Sequence, residues 1–556
     1  MRLGILLSVV GFGLGVCQAA PPWGPNLWPN GSFEDGVAGW SATQGQHNEP
    51  VNSIQLTDGC AGARALRVAN PPGSGSLIDS PVLRLRPGWY VLSFWYRFES
   101  RNGKAPEQLV YVDRLTGAGA EGRRDSIYFY YHSTPPSGSW YQAFLTFRLR
   151  EGDTGIGLRF PVDANATAMS LDAIELRRLE PPPGAGEVTS VETDGYNSDR
   201  ISDPQSPSRF AQRVEEGKQQ PGDKTGGGPR FSNPPGLYRV TYRFRQEVPG
   251  RGVVIALNSG GDNGAALDDI QAGDFSSNGY QTFSVYWLYP FGMGSFPGWD
   301  WRGTGTYRFA SVTLERLQPL SARECWDMFA EGINVAQVLP PAEPLAAGTR
   351  AWVATGLYTS ETGILAALKA AGIPFAQSYL KDSKLSPAVP DLTSVETVVL
   401  ANVPARAIPP SSQLALRLFV ERGGTLLVFG GFFAYGHGGY HGSFLEELLP
   451  VGIPRTFDLV PVTGELVRPT RLLPSNLGGC AWVHDDVVKA GAEVLWQVDK
   501  KPGVIAWRLG KGKVIAITAT VLGEPGNPFW KTPEWQGELK RSLAPNRQSV
   551  VNPPGF

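Results

Sequence analysis

The chain is short of the residues that most often announce chemistry: its 556 residues include four cysteines, five histidines and four methionines. So few thiols exclude a disulfide framework, which small secreted domains build from closely spaced cysteines. With Cys17 directly after the N-terminal apolar run, in the segment expected to be removed, Cys60, Cys325 and Cys480 remain. They can form one bridge at most, and Cys325 with Cys480 is the pair that falls in one domain. The competing expectation is three small, buried, apolar side chains. Charge is scarce as well, at 18% of residues, and 50 basic side chains balance 51 acidic ones. That balance excludes the strong field expected of a protein for nucleic acid, an acidic membrane or a polyanion, so partners are expected to be neutral. After the N-terminus no apolar run reaches the roughly 18 residues that cross a bilayer.

Glycine, proline and rings are what the chain has in quantity: 68 glycines, 47 prolines and 11% aromatics. That composition suits turn-rich β domains with many rings to place. The length suggests about three or four domains of roughly 100–200 residues each. Met1 and Arg2, an apolar run from Leu3 to Val16 and the exit Cys17-Gln18-Ala19-Ala20-Pro21 have the form of a secretory signal. Cleavage is expected after Ala19, leaving 1–19 as signal peptide and a secreted or periplasmic protein without a membrane span.

From 26 to 182 the pattern is that of a β-sandwich. Runs such as WYVLSFWYRF (89–98) and WYQAFLTFRL (140–149) alternate with period two, which reads as half-buried strands between Pro and Gly turns. Self-comparison finds the pattern again. Leu66-Arg67-Val68 answers to Gln212-Arg213-Val214, and Gly88-Trp89-Tyr90 to Gly236-Leu237-Tyr238. Tyr141-Gln142-Ala143-Phe144 answers to Tyr280-Gln281-Thr282-Phe283, and IELRRLEP (174–181) to VTLERLQP (312–319). Four blocks in the same order make 186–320 a second copy, tied to the first by the semi-rigid linker Pro181-Pro182-Pro183-Gly184.

The opening NLWPNGSFEDGVAGW (26–40) and the stretch Ser170 to Leu176 resemble the first and last strands of carbohydrate-binding jelly rolls of the galactose-binding-like type. The resemblance implies two β-jelly rolls whose partner is carbohydrate or a cell-surface glycan. It also implies a structural calcium in the first, held by Glu34 and Asp172, since calcium takes oxygen ligands. Ala310 stands where Asp172 would be in the second copy, so no calcium is expected there.

From Ser321 onward, strands alternate with helical patterns. RAWVATG (350–356), VETVVLANV (395–403) and TLLVFGG (425–431) are apolar strands. TGILAALKAAG (362–372) is a helix with a glycine stop, and SSQLALRLFVERGG (411–424) is a helix with a serine cap and a glycine stop. Continuous apolar strands between helices imply a parallel sheet covered on both faces. VVLANVP (398–404), LRLFVERGGTLLVFGG (416–431), GGYHGSFLEELLPV (438–451) and WRLGKGKVIAITA (507–519) resemble the glutamine-amidotransferase-like domains of secreted bacterial proteins. That makes 322–556 an expected α/β, flavodoxin-like domain related to class I glutamine amidotransferases. Active members of the family carry a cysteine on the elbow after the strand that ends in the glycine pair. Phe432 and Phe433 stand there in this chain, so the resemblance implies a domain without its nucleophile, serving as scaffold or ligand-binding module.

Sugars offer apolar C–H faces that stack on rings. The densest aromatic stretch, YWLYPFGMGSFPGWDW (286–301), makes Trp287, Tyr289, Trp299 and Trp301 sugar-stacking candidates, joined by Tyr128 and Tyr130 in the first copy; core packing is the alternative for each ring. His437, His441 and His484 with Asp485 and Asp486 are the candidates for a metal or catalytic cluster, although Gly438 and Gly439 argue for a loop without fixed i, i+4 geometry. The preferred reading is a non-catalytic carbohydrate-binding protein. A hydrolase of carbohydrate or amide substrates using the His/Asp cluster, and a cell-surface module for protein–protein assembly, are the alternatives.

Overall fold

The computed structural model describes residues 23–44, 49–50, 54–70, 73–101, 108–116, 124–128, 138–162, 164–193, 200–221, 225–227, 233–260, 265–289, 296–328, 332–339, 342–356, 362–380, 389–469 and 476–543. The expected signal peptide lies outside them. Two 13-residue strands, Gly88–Ser100 and Gly236–Val248, organise the β part. Each pairs antiparallel on one side with a 14-residue strand, Ala166–Leu179 or Thr306–Pro319, and on the other with Tyr141–Leu149 or Tyr280–Tyr289. Ala65–Ala69 and Phe210–Glu215 flank the long strands in turn. The four repeated sequence blocks therefore occupy equivalent strands in the same spatial order. Each central strand also begins with the same closure: Tyr90 Oη–H donates to the Arg86 carbonyl at 2.7 Å, and Tyr238 Oη–H to the Pro234 carbonyl at 2.5 Å.

The two copies share a sheet. Tyr141–Leu149 runs parallel to Ala265–Gln271, with Leu145 opposite Ala265, Thr146 opposite Ala266 and Phe147 opposite Leu267, so strands of both belong to one ten-stranded sheet. A seven-stranded sheet closes the first core, around Phe94, Tyr96, Phe147 and Phe160. A six-stranded sheet closes the second, around Tyr242, Phe244, Trp299 and Phe309.

The expectation of half-buried strands is corrected. Of Tyr141–Leu149 only Arg148 is exposed, because the face that a lone sandwich would leave wet is covered. Val91, Trp95 and Phe144 on that face join Leu237, Leu288, Cys325, Trp326, Leu414 and Phe444 in a joint core drawn from all three regions. Trp326, on the short helix Ala322–Met328, meets Trp95 edge-on at 4.8 Å and Phe444 at 5.7 Å. Edge-to-face rings buried in this way add to the area term that holds the regions in fixed relation.

The third region is built on a nine-stranded sheet. Phe375–Tyr379, Ala351–Thr355, Thr397–Ala401, Thr425–Phe429 and Gly512–Ile517 are parallel neighbours, in that order. Lys501–Leu509, Glu493–Val498 and two short strands then extend the sheet antiparallel. Every residue of the three central parallel strands Ala351–Thr355, Thr397–Ala401 and Thr425–Phe429 is buried, as a sheet covered on both faces requires. The helix Pro410–Glu421 starts differently from the expected serine cap: Pro410 takes the first helical position, where its fixed φ fits and its missing N–H costs nothing, and Ser411 and Ser412 lie inside the helix. Cys325 belongs to the joint core and Cys480 to the core under the far side of this sheet. Both are free and buried, as is Cys60, which agrees with the expectation of small, buried, apolar side chains and not with a Cys325–Cys480 bridge. No described helix is long and apolar enough to cross a membrane.

Candidate functional site

The four rings expected to project toward sugar do not. Trp287, Tyr289 and Trp301 are fully buried and Trp299 is 1% exposed. They alternate inward from Tyr280–Tyr289 and Phe296–Trp301, on facing sheets of the second sandwich, and fill its interior. Trp299 packs on Phe244 at 5.2 Å and on Phe309 at 5.3 Å, and Trp287 on Tyr289 at 4.6 Å. Of the two first-copy candidates, Tyr128 ends the strand Arg124–Tyr128 and Tyr130 lies outside the described residues.

Glu34 and Asp172 do meet around one loop, but with the wrong chemistry for calcium. Asp172 Oδ2 accepts the Cys60 and Ala61 N–H groups at 2.7 and 2.8 Å, and its Oδ1 accepts that of Ala173. Glu34 Oε1 accepts Ala63 and Arg64 N–H at 2.8 and 2.9 Å. A cation needs oxygens around it, whereas both oxygens of Asp172 and Oε1 of Glu34 face amide hydrogens. The donor set therefore does not fit the ion. The described residues hold no group of three or more metal-binding side chains. Burial pushes Asp172 up to about 6 even though these amides favour its charged form. The loop they hold is a docking point: Asn334 N–H donates to the Cys60 carbonyl at 2.8 Å, and Ala61 bridges to Ile333 at the entry to the third region.

A cleft opens at the seam of the two sandwiches, beyond the last parallel pair, Phe147 and Leu267. Its volume is about 690 Å³, within the range of ligand sites. Trp89 and Phe283 supply rings, Thr282 and Ser284 hydroxyls, and Arg148, Arg150, Glu151, Asp268, Asp269 and Asp274 planar charged groups. Trp89 is half-buried and stands edge-on to Tyr286 at 5.3 Å. Arg150 donates to Asp268 at 3.1 Å and to Asp274 at 2.9 Å, while Arg148 lies 3.6 Å from the other Asp268 oxygen. Four acids against two arginines disfavour an anionic ligand. The guanidinium–carboxylate pairs offer the planar donors and acceptors that hydroxyls use. None of these residues stood out in the sequence. One signal was available: the repeat sets Trp89 against Leu237, and Leu237 is buried in the joint core whereas Trp89, packed against that core from one side, also lines the cleft.

Beside the elbow after Thr425–Phe429 the expected His/Asp cluster divides: His484 and Asp486 both lie next to Asp458, whereas His437, His441 and Asp485 have other partners. His484 is fully buried; its Nδ1 donates to Asp458 Oδ1 at 2.9 Å, and its Nε2 accepts the Gly431 N–H at 3.2 Å. That arrangement fixes the tautomer with the proton on Nδ1. His437 bonds the Phe432 carbonyl through Nδ1 at 2.6 Å, and His441 bonds the Ile453 carbonyl. Asp485 is occupied by Lys501 at 2.6 Å and Arg455 at 3.3 Å. The three histidines thus serve three separate carbonyl or carboxylate partners, and the cluster is corrected to a loop-fastening set.

Asp458, which nothing in the sequence singled out, is the centre of that set: fully buried, it also accepts Gly436 N–H at 2.9 Å. Burial alone would raise it, but the His484 and Gly436 donors hold it below the usual carboxylate range. Asp486 beside it is pushed up to about 10 by burial and then by the Asp458 charge, so it keeps its proton at neutral pH. The turn has no space for a nucleophile at its glycines. A Cβ on Gly430 would come within 2.9 Å of the His484 ring and the Ile517 carbonyl, and one on Gly431 within 2.5 Å of Asn402 Oδ1.

No family model matches the chain, and no curated protein matches it. Solved structures similar to it include a cytoplasmic protein of Salmonella typhimurium LT2, 16% identical with a TM-score of 0.31 over 34% of this chain and 96% of that one. The N-terminal CBM22 tandem domain from Paenibacillus barcinonensis is 13% identical, with a TM-score of 0.21 over 54% of this chain and 99% of that one. A β-galactosidase from Bacillus circulans is 16% identical, with a TM-score of 0.26 over 40% of this chain and 34% of that one. The similar structures thus include carbohydrate-binding modules and glycosidases. At these scores the likeness stops short of a shared overall fold and assigns no activity to this chain.

Proposed function

We propose that this chain is a secreted, non-catalytic binder of neutral carbohydrate. Its domains are 26–182, 186–320 and 322–556, the last a degenerate amidotransferase-like scaffold. The observation that carries the reading is the seam cleft, in which a half-buried tryptophan stands beside Arg–Asp pairs and hydroxyls with no excess of positive charge. A pyranose presents an apolar face for Trp89 and equatorial hydroxyls for Arg150, Asp274 and Ser284. The site is bounded by two sandwiches, so both copies are needed for one ligand, which gives the duplication a purpose. A hydrolase reading loses its support because His484 is sealed from solvent and engaged on both ring nitrogens. The reading is tested by affinity electrophoresis of the full chain through gels of neutral polysaccharide (cellulose derivatives, xylan, mannan and galactan). Retardation in at least one gel, relieved by its free oligosaccharide, is expected. Unretarded migration in all of them, by folded protein, overturns it.

A further inference from the structure

Among the described residues four aromatic rings are strongly exposed, Phe210, Tyr379, Phe432 and Phe457, and two of them lie together: Phe432 is 39% exposed and Phe457 52% exposed. They belong to one aromatic run on top of the elbow: Phe433 to Phe432 at 5.1 Å, Phe432 to His437 at 4.3 Å, and His437 to Phe457 at 5.6 Å. The elbow sits at the carboxyl end of Thr425–Phe429, flanked on both sides by parallel strands, where open α/β sheets place their ligand sites.

The rings are held rigidly from below. Asn402 Oδ1 accepts Phe433 N–H at 2.7 Å, His484 accepts Gly431 N–H, Asp458 accepts Gly436 N–H, and His437 is fastened to the Phe432 carbonyl. Asn402 and Tyr435 both sit in the left-handed region, at φ 53° and 50°, a conformation non-glycine residues hold only where their surroundings impose it. A buried polar network and two strained residues are thus committed to presenting rings to solvent.

We propose that Phe432, Phe433, His437 and Phe457 form a second stacking platform for neutral saccharide, so that the chain grips a polysaccharide at two points. The proposal rests on the seam-cleft reading for its ligand class. Phenylalanine faces stack on sugar C–H surfaces without demanding hydrogen bonds. The rim supplies those separately. The Arg455 carbonyl lies against Gly436, next to His437, and the Arg455 guanidinium, half exposed, pairs with Asp485, whose other oxygen holds Lys501. The resulting planar pair suits vicinal hydroxyls.

Both points are fixed in one body. Ala322 N–H donates to the Gly442 carbonyl at 2.6 Å, and a Cβ on Gly442 would meet Pro235 of the second sandwich at 2.8 Å. Rigidly spaced sites that each bind a short oligosaccharide weakly hold a long chain far more tightly, by effective concentration alone, as long as the chain spans them.

The test compares wild type, the double variant Phe432→Ala with Phe457→Ala, and Trp89→Leu. Each is assayed for depletion onto the insoluble polysaccharide that binds best and for binding of its soluble trisaccharide. Both exposed rings are away from the core, so the double variant folds. It is expected to lose at least tenfold in retention on the polymer while its trisaccharide affinity at the cleft stays within twofold. Unchanged retention of the double variant overturns the platform and leaves the cleft reading standing. Unchanged retention and trisaccharide binding in Trp89→Leu, with loss in the double variant, upholds the platform and overturns the cleft. Concentration-dependent self-association that disappears in the double variant, with retention unaltered, assigns the rings to a protein contact and overturns the proposal.

Discussion

Two ring-bearing stretches of this chain invert what their composition suggests. The stretch 286–301 contains the densest run of aromatics, and four of the rings described there, Trp287, Tyr289, Trp299 and Trp301, are sealed in the second sandwich while Tyr286 stays half-buried. The elbow has only Phe432, Phe433, Tyr435 and Tyr440, yet half of these reach toward solvent. The difference is backbone geometry. Alternating strands on facing sheets turn every second ring inward, and a sandwich of this size fills its interior with them. A glycine turn pinned by buried Asp458 and His484 has no alternation to obey and can lift consecutive rings out of the core. Ring density therefore reports where a core needs volume; exposure is decided by the element that carries the ring.

Substitution at the two stretches should separate them sharply. Trp299→Ala empties a site packed on Phe244 and Phe309 and is expected to cost about 3–5 kcal/mol in urea unfolding. Phe457→Ala is expected to cost under about 0.5 kcal/mol. Similar costs would break the contrast. Carboxylates show the same division between buried and exposed groups. Asp172 is fully buried and pushed up to about 6, above its unfolded value near 3.9. Its stabilising contribution is present below about pH 4 and is lost as pH rises toward 6, roughly 3 kcal/mol in all. Unfolding followed across pH 4–7 should show that slope in wild type and a flatter one in Asp172→Asn; parallel curves would contradict the burial argument. Smaller still is the effect of Asp486→Asn, which replaces a group already protonated at pH 7. Stability within about 1 kcal/mol of wild type is expected there, and a gain of several kcal/mol would show that Asp486 had been repelling Asp458 as a charged group. At the bottom of the scale, chelator or added calcium should leave the thermal midpoint unmoved, since amide hydrogens occupy Glu34 and Asp172. A rise of several degrees with calcium would restore the ion.

The repeat was legible because it is written in strand-length blocks: Gly88-Trp89-Tyr90 and Gly236-Leu237-Tyr238 open strands of equal length with the same tyrosine closure. The parallel strands of the third region were legible as uninterrupted apolar runs, and the glycine pair at 430 and 431 marked the elbow. The joint core was not. Trp95 and Phe144 lie on the face that a lone sandwich would leave wet, and only the docking of Trp326 and Leu237 explains why that face is apolar. The cleft was invisible for a related reason. Arg150 and Asp274 are 124 residues apart and gain meaning only through the parallel pairing that joins the two copies. The buried network was half seen: His484 and Asp486 were noticed for their residue types, but their partner Asp458 carries no local signature.

Trp89 bears most of the functional account, and the second copy supplies the conservative replacement for it. Isothermal titration of wild type and Trp89→Leu with the oligosaccharide of the best-binding neutral glycan tests the claim directly. At least a tenfold weaker Kd, about 1.4 kcal/mol, is expected in a variant that remains folded. Equal affinity in the folded variant would contradict it.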